Sequence, residues 1–359
     1  MIKTKSFFLL ILFFAIATST LNATETFNIR RGINLSEWLE KNEDLDQKES
    51  VITTADIDSL KAYNFDHIRI PIREEVLFDE SLKVRPEIFN LLKSRIDYCK
   101  KVGLKVIIDL HGTRLFSFTN SSNSLFSEPQ PIDSFLSIWE KIQELFRDYP
   151  TDFLAYECLN EPAAAKDKHH LWNNVLARWI PFIRKTEKNR FLIIGTNRGN
   201  QLWTLKFLKY PEDNRLILSI HYYYPFKFTH FHPNDAIAKD YGLKAHYPGK
   251  VINDQEYRRI PSSHKKEFDE YREYYDKNKI YEDLKQAILF SKKHNIPLNI
   301  GEFGCRRFVD DKDRLQWFRD VTSLLRENGI SYTLWGLNGA GFGIKINGVI
   351  DKPMLDAIK

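Results

Sequence analysis

The sequence predicts an α/β fold, a single (β/α)8 TIM-type barrel with a long loop or cap inserted after its sixth strand. Three observations carry this. Eight short runs rich in β-branched and aromatic residues recur along the 359 residues, each bounded by turn chemistry. Amphipathic segments of helical spacing alternate with them, and eight such repeats in a chain of this size are what a closed barrel needs. No G-x-G-x-x-G follows any of the runs, so the Gly-rich first turn common in doubly wound sheets is missing.

Taken in order, the first strand is expected in "FNIRRGIN" (27–34) and the second in "HIRIPI" (67–72), with a helical stretch at 57–63 between them. An amphipathic segment at 87–102 follows. Pro86 opens it, where the missing N–H costs nothing, and Gly103 closes it, where a left-handed residue is wanted. "KVIIDLH" (105–111), a helix at 134–146 and "FLAYECLNE" (153–161) supply the third and fourth strands. A helix at 171–187 leads to "FLIIGT" (191–196), which only a short helical piece near 202–208 separates from "LILSIHY" (216–222). The stretch 223–279 is too long for a structureless loop in a compact domain. It is expected to be an ordered cap over the barrel mouth, followed by the solvated charged run "HKKEFDEYREYYDKNK". Helices at 281–294 and 314–327, the second closed by Gly329, precede "LNIGE" (298–302) and "YTLWG" (332–336).

The first residues read as an export signal. Lys3 and Lys5 precede the apolar run "FFLLILFFAIA" at 7–17, and "LNA" ends in the small residue Ala23, after which cleavage is expected. That run is shorter than the roughly 20 residues needed to span a bilayer. Residues 1–23 are therefore expected to be a signal peptide and 24–359 a single catalytic domain, secreted, periplasmic or at the cell surface, with no membrane attachment once mature. The formal charge of +5 is mild and includes Lys3 and Lys5; without a dense basic stripe, nucleic-acid binding is not expected. Cys99, Cys158 and Cys305 are odd in number and match no zinc spacing, so they read as buried small hydrophobes.

In a barrel of this kind, ligand-handling side chains sit where strands end and βα-loops begin. The expected ends carry Arg69, His111, Asn160 with Glu161, His221 with Tyr223, Glu302 and Trp335. The strands bearing Glu161 and Glu302 face each other across the barrel, so both carboxylates can enter one cleft. Two carboxyl groups flanking one bond are what glycosidic cleavage requires. Their environments must differ, one staying protonated and the other ionised, and Arg69 beside one of them would hold that one ionised.

"CLNEP", "IGEFG", "HIRIPI", "DLHG", "HYY" and "LWG", in this order of chemistry and spread over the whole mature chain, resemble the motifs of glycoside hydrolase family 5. "GINLSEW" and "HYYYPFKFTH" followed by "YPG" resemble its bacterial endoglucanase branch. The resemblance implies a retaining endo-β-glycanase, an exported enzyme that cuts internal β-1,4-glucosidic bonds of cellulose-like or mixed-linkage glucans by double displacement. It implies Glu161 as acid/base and Glu302 as nucleophile, with Asn160 on the sugar 2-hydroxyl. Arg69 and Tyr223 would fix and polarise Glu302, His111 and His221 would line the subsite before the cleavage point, and Trp335 would be the floor on which that sugar stacks. No cofactor and no metal are implied, and the enzyme is expected to work as a monomer on a β-glucan polysaccharide or oligosaccharide.

The chain departs from the family pattern at Gly112, where many relatives have a second histidine, and at Ser36–Glu37, where a Gly-Asn pair is common. Glu37 is read as a loop charge and His67 as a histidine satisfied inside the barrel. Trp38, Phe116, Trp172, Trp203, Phe226 and His230 are candidates for further sugar platforms. Related β-glycanases acting on mannan, xyloglucan or β-1,3-glucan share the same central residues. Two other classes compete: a silent carbohydrate-binding barrel, which would usually lose one carboxylate, and a metal-dependent hydrolase using Asp109 and His111, for which the first strand offers no His-x-His.

Overall fold

In the computed structural model, which describes residues 27–41, 45–118, 123–234, 236–339 and 341–359, eight parallel strands close into a barrel. They are β1 (Arg31–Asn34), β2 (His67–Arg73), β3 (Lys105–Gly112), β4 (Leu154–Glu157), β5 (Leu192–Gly195), β6 (Leu216–Tyr222), β7 (Leu298–Phe303) and β8 (Ser331–Leu334). Each pairs with its chain neighbours, and β8 returns to β1 with Tyr332 opposite Arg31. The leader expected over residues 1–23 lies outside the described residues. No helix among the described residues is long and apolar enough to cross a membrane.

The helices between strands owe their ends to local chemistry. Pro86–Val102 starts on its proline and stops where Gly103 turns left-handed at φ 73°. Thr53 and Asp56 close a reciprocal capping box on Thr54–Ala62, and the Asp276 carboxylate accepts the Lys279 N–H to cap Lys277–His294. Ile132–Phe146 and His169–Arg184 turn apolar faces inward, so that Trp139 and Trp179 meet edge to face at 5.0 Å. Asp311–Glu327 buries Trp317 and Phe318 in the same way.

Two expectations need correction. β4 stops at Glu157, short of Glu161, although Cys158 N–H still donates to Ile193 O (3.1 Å) and Asn160 N–H to Leu110 O (3.0 Å). Among the described residues of the segment after β6, those that line the cleft come from its first part. Tyr223, Tyr224, Phe226 and His230 line the cleft, whereas Tyr247 donates to Asp320 on the outer helix Asp311–Glu327. The charged run at 264–279 folds as the 3-10 helix Lys265–Arg272, anchored by buried Phe268, the short strand Tyr274–Tyr275 and the first turn of Lys277–His294.

Inside the barrel the strands alternate strictly enough to stack in layers. At the bottom, Ile107, Ala155, Ile193 and Ile217 pack together with Phe27 and Phe191. Above them the interior turns polar, and glycine makes room for it. A Cβ on Gly32 would fall on the His67 ring, one on Gly195 on the Asn200 amide, and one on Gly301 on the Ser219 hydroxyl. His67 is fully buried and satisfied, with Nδ1 2.6 Å from Asp66 Oδ1 and Nε2 2.9 Å from Thr333 Oγ1. Replacing Gly32 with alanine should therefore displace a ring that has nowhere to go. We expect a loss of about 1–3 kcal/mol, read as a lower denaturant midpoint at unchanged slope.

Candidate active site

The site is built on one buried cation. Arg69 projects inward from β2 with no exposed surface, and its guanidinium meets three carboxylates: Asp109 at 3.0 Å, Glu157 at 2.7 Å and Glu302 at 2.8 Å. It donates as well to Asn34 Oδ1 (2.8 Å) and Asn160 Oδ1 (2.9 Å). The planar fork of arginine suits this arrangement, because its donors diverge to several acceptors at fixed angles.

Glu302 reaches this cluster through a fault in the sheet. Gly301 already faces the interior, so strict alternation would send Glu302 outward. The β6–β7 register shifts between Ile220 and His221, pairs His221 with Glu302, and turns the glutamate in. Its Oε1 accepts from Arg69, and its Oε2 accepts from the Tyr223 hydroxyl at 3.0 Å. Glu161 stands opposite on left-handed backbone at φ 44°, directly before Pro162, a neighbour that normally forces extended geometry. The Gly199 N–H bonds Pro162 O at 3.1 Å and holds the turn. His221, fully buried, places Nδ1 2.8 Å from Glu161 Oε1 and 3.4 Å from Glu302 Oε2.

These surroundings separate the groups electrically. Burial pushes the Glu161 carboxyl up to about 7, against weak opposition from His111 and Arg69. Burial raises Glu302 on balance as well, with the Arg69 charge opposing it, and it alone of the two has Arg69 and Tyr223 as direct donors. Burial drives His221 down to about 4, so its ring is neutral at neutral pH. Asp109 is raised by burial to about 7, and its Oδ1 is buried with no hydrogen-bond partner.

Above this lies a cleft of about 670 Å3. Of the residues expected to bind substrate, His111, Asn160, Tyr223 and Trp335 line it; Arg69 and His221 do not, being sealed beneath and able to act on a ligand only through the groups they hold. The His111 and Trp335 rings stack 5.6 Å apart at 8°. His111 Nδ1 lies 2.7 Å from Asp109 Oδ2, within hydrogen-bond distance. Among the aromatic candidates, Trp203, Phe226 and His230 line the cleft, while Trp38, Phe116 and Trp172 are core. Phe118 and Phe342 line it too and were not foreseen. Nor were Asn34, Glu157 and Asn200. Period-two alternation in "LAYE" puts Glu157 on the face of Ala155, a signal that a buried charge inside a strand must have a partner.

Among the described residues, Glu161, His221 and Glu302 bring donor atoms within 4.8 Å of one another, the spacing of a metal site. The fit is poor, because Arg69, Tyr223 and the His221 ring already occupy these carboxylates and a cation would have to displace them. Asp109, proposed above as an alternative metal ligand, is likewise held by Arg69 and His111.

A family model described as Cellulase (glycosyl hydrolase family 5) matches residues 23–341. Endoglucanase C of Acetivibrio thermocellus is 27% identical over 301 residues, covering 82% of this chain and 87% of that protein. Cellodextrinase A of Ruminococcus flavefaciens is 29% identical over 281 residues, covering 77% and 75%. Among solved structures, Thermotoga maritima Cel5A in complex with mannotriose superposes with a TM-score of 0.73 at 26% identity, covering 92% of this chain and 97% of that chain. The complex of the same enzyme with cellobiose gives 0.73 at 27% identity with the same coverage.

Removing the central cation tests how the site is held. Arg69→Met should lose about 3–5 kcal/mol, because it strands buried carboxylates without a partner. In that variant the native carboxyls would bind protons that the unfolded chain releases. Chemical unfolding should then show stability falling as pH rises between about 5 and 8, more steeply than in the wild type. A parallel pH dependence in the two proteins would contradict this charge assignment.

Proposed function

Since the chain belongs to glycosyl hydrolase family 5, the cellulase family, we propose that it cuts internal β-1,4 bonds of glucans with retention of configuration, using Glu302 as nucleophile and Glu161 as acid/base. It is a cellulase-like glycoside hydrolase acting on β-glucans. The finer reading rests on one observation, the approach of a Glu161 oxygen to within 4.8 Å of a Glu302 oxygen. Retaining enzymes hold their carboxyl groups about 5–5.5 Å apart, whereas inverting ones leave room for a water.

In the first step Glu302 bonds to the anomeric carbon as the glycosidic C–O bond breaks, and the Glu161 proton goes to the departing oxygen. In the second, water attacks the same carbon, gives a proton to Glu161, and releases Glu302. Arg69 and Tyr223 support the nucleophile by keeping it ionised and aimed. The Asn160 amide has its oxygen on Arg69 and its nitrogen 3.5 Å from His111 Nε2, which leaves N–H capacity for the sugar 2-hydroxyl. Trp335 and His111, stacked in parallel, offer a flat face to the same sugar. Export by the leader expected at residues 1–23 belongs to this reading, since polymeric glucan has to be met outside the cell.

Glu302→Gln should abolish release of reducing ends from soluble β-glucan, and proton NMR of the first product should show the β-anomer. Glu161→Ala should slow cleavage of substrates with poor leaving groups by about 10²–10⁴-fold and, with azide added, yield the β-glycosyl azide. A first-formed α-anomer would falsify retention. Because Glu161 must carry its proton, kcat/KM should fall as pH rises through about 7. An alkaline limb that lies elsewhere would remove Glu161 from the role of acid. Assays in parallel on mannan, xyloglucan and β-1,3-glucan decide the linkage and sugar preferred.

A further inference from the structure

Behind His221 stands a residue the reaction scheme does not use. Asn200 is fully buried and lies on left-handed backbone at φ 54°, at the end of a turn in which Arg198 and Gly199 are left-handed as well. This turn brings its side chain back into the barrel, into space that exists because β5 ends in Gly195. There its amide Nδ2 lies 3.1 Å from His221 Nε2. Its Oδ1 is buried with no hydrogen-bond partner, and the Nδ2 end is the one that meets the ring in this structure.

A neutral imidazole carries one proton, and the partner of one nitrogen decides which nitrogen has it. An N–H facing Nε2 requires a lone pair there, and the ring proton must then be on Nδ1. Nδ1 is the atom that faces Glu161 at 2.8 Å and Glu302 at 3.4 Å. We propose that Asn200 is a positioning residue that locks His221 in the Nδ1–H tautomer, so that the ring donates to the two glutamates and cannot take the proton of Glu161. This deepens the proposed retaining mechanism and rests on it. In the opposite tautomer a bare Nδ1 would accept the Glu161 O–H, and the proton needed by the leaving oxygen would be spent in a hydrogen bond to the ring. With Nδ1–H, Glu161 offers one oxygen to the ring and keeps its proton on the other, facing the cleft.

The groups facing this ring are Glu161 from the loop after β4, Glu302 from β7, Arg69 from β2, Glu157 from β4 and His111 from β3. The anions outnumber the cation, so a second proton would be held on His221 if its Nε2 met an acceptor instead of a donor.

Asn200→Asp supplies that acceptor, and Asn200→Gly removes the group; both tolerate left-handed backbone, so the turn is kept. Nitrogen-15 NMR of histidine-labelled wild type should show Nδ1 protonated and Nε2 bare at His221. In Asn200→Asp, Nε2 should become protonated, and the positive ring should hold Glu161 ionised. The alkaline limb of kcat/KM should move down by about one pH unit, with roughly a tenfold loss at pH 7 for poor leaving groups and little change in KM. Cleavage of dinitrophenyl glycosides, whose leaving group needs no proton, should be far less affected. Asn200→Gly should give mixed tautomers in the spectrum. A wild-type His221 protonated on Nε2 overturns the proposal, as does an unmoved alkaline limb in a folded Asn200→Asp enzyme. The tautomer is read without substrate, so it decides the matter even if Asn200→Asp fails to fold, and separately from the anomer and Glu302 tests of the mechanism.

Discussion

Arg69 is sealed from water with three carboxylates on its nitrogens, and the geometry of the whole site follows from how that excess of negative charge is resolved. A buried ion costs several kcal/mol unless it is paired and hydrogen-bonded. One guanidinium cannot neutralise three anions, so protons must make up the difference. Asp109, raised to about 7 and with one oxygen unpartnered, takes a share. That leaves the charge of Arg69 available to Glu302, which also has the Tyr223 hydroxyl, while Glu161 across the cleft has only a neutral ring. Two chemically identical side chains thus have different partners, and the roles proposed for them, nucleophile and acid, depend on that difference.

Rigidity is the second condition, and the barrel supplies it unevenly. Arg69, Asp109, Glu157 and His221 lie on strands, paired with their neighbours and buried. Glu161 and Asn200 lie just beyond strand ends, on backbone that non-glycine residues seldom adopt. Such conformations persist where the surroundings over-determine them. Here the Gly199 N–H on Pro162 O and the Ala164 N–H on Asn197 Oδ1 join the turn after β5 to the turn after β4. The two strained segments brace each other, so the acid and the residue behind His221 cannot move independently.

Most of the fold was legible because its signals are local. Period-two apolar runs and helix caps depend on neighbours in sequence, and the strands fall within the expected runs or one residue beyond them. The site residues were legible where a polar group stood at a strand end, as His111, Tyr223 and Glu302 do. Glu157 and Asn34 were passed over because they face inward below the rim, where the pattern marks only "not outward". Asn200 left no pattern at all: its place depends on a turn whose left-handed residues Arg198 and Asn200 do not advertise it, and on Gly195 at the end of the strand before that turn. The extent of the cap was misread because charge and length say that a segment is ordered, not which side of the barrel it packs against.

The division between strands and loops also explains why the reaction is easier to read than the ligand. Everything that handles the bond comes from the barrel rim. The wall comes from loops: Phe118 after β3, Trp203 after β5, Phe226 and His230 after β6, and Phe342 after β8. Phe226 lies flat on His230 at 3.8 Å, and Phe342 meets the His230 edge at 5.2 Å, so part of this wall is a packed aromatic surface, beside the polar side chains of Ser117, Arg198 and Gln201. Rings of this kind bind the C–H face of a pyranose. A β-1,4-linked glucose unit keeps its ring hydroxyls equatorial and offers that face uninterrupted, whereas an axial hydroxyl turned onto one of the rings would be desolvated there. In the proposed reading, selection among glycans falls on this wall, while the rim beneath it carries the groups assigned to the bond itself.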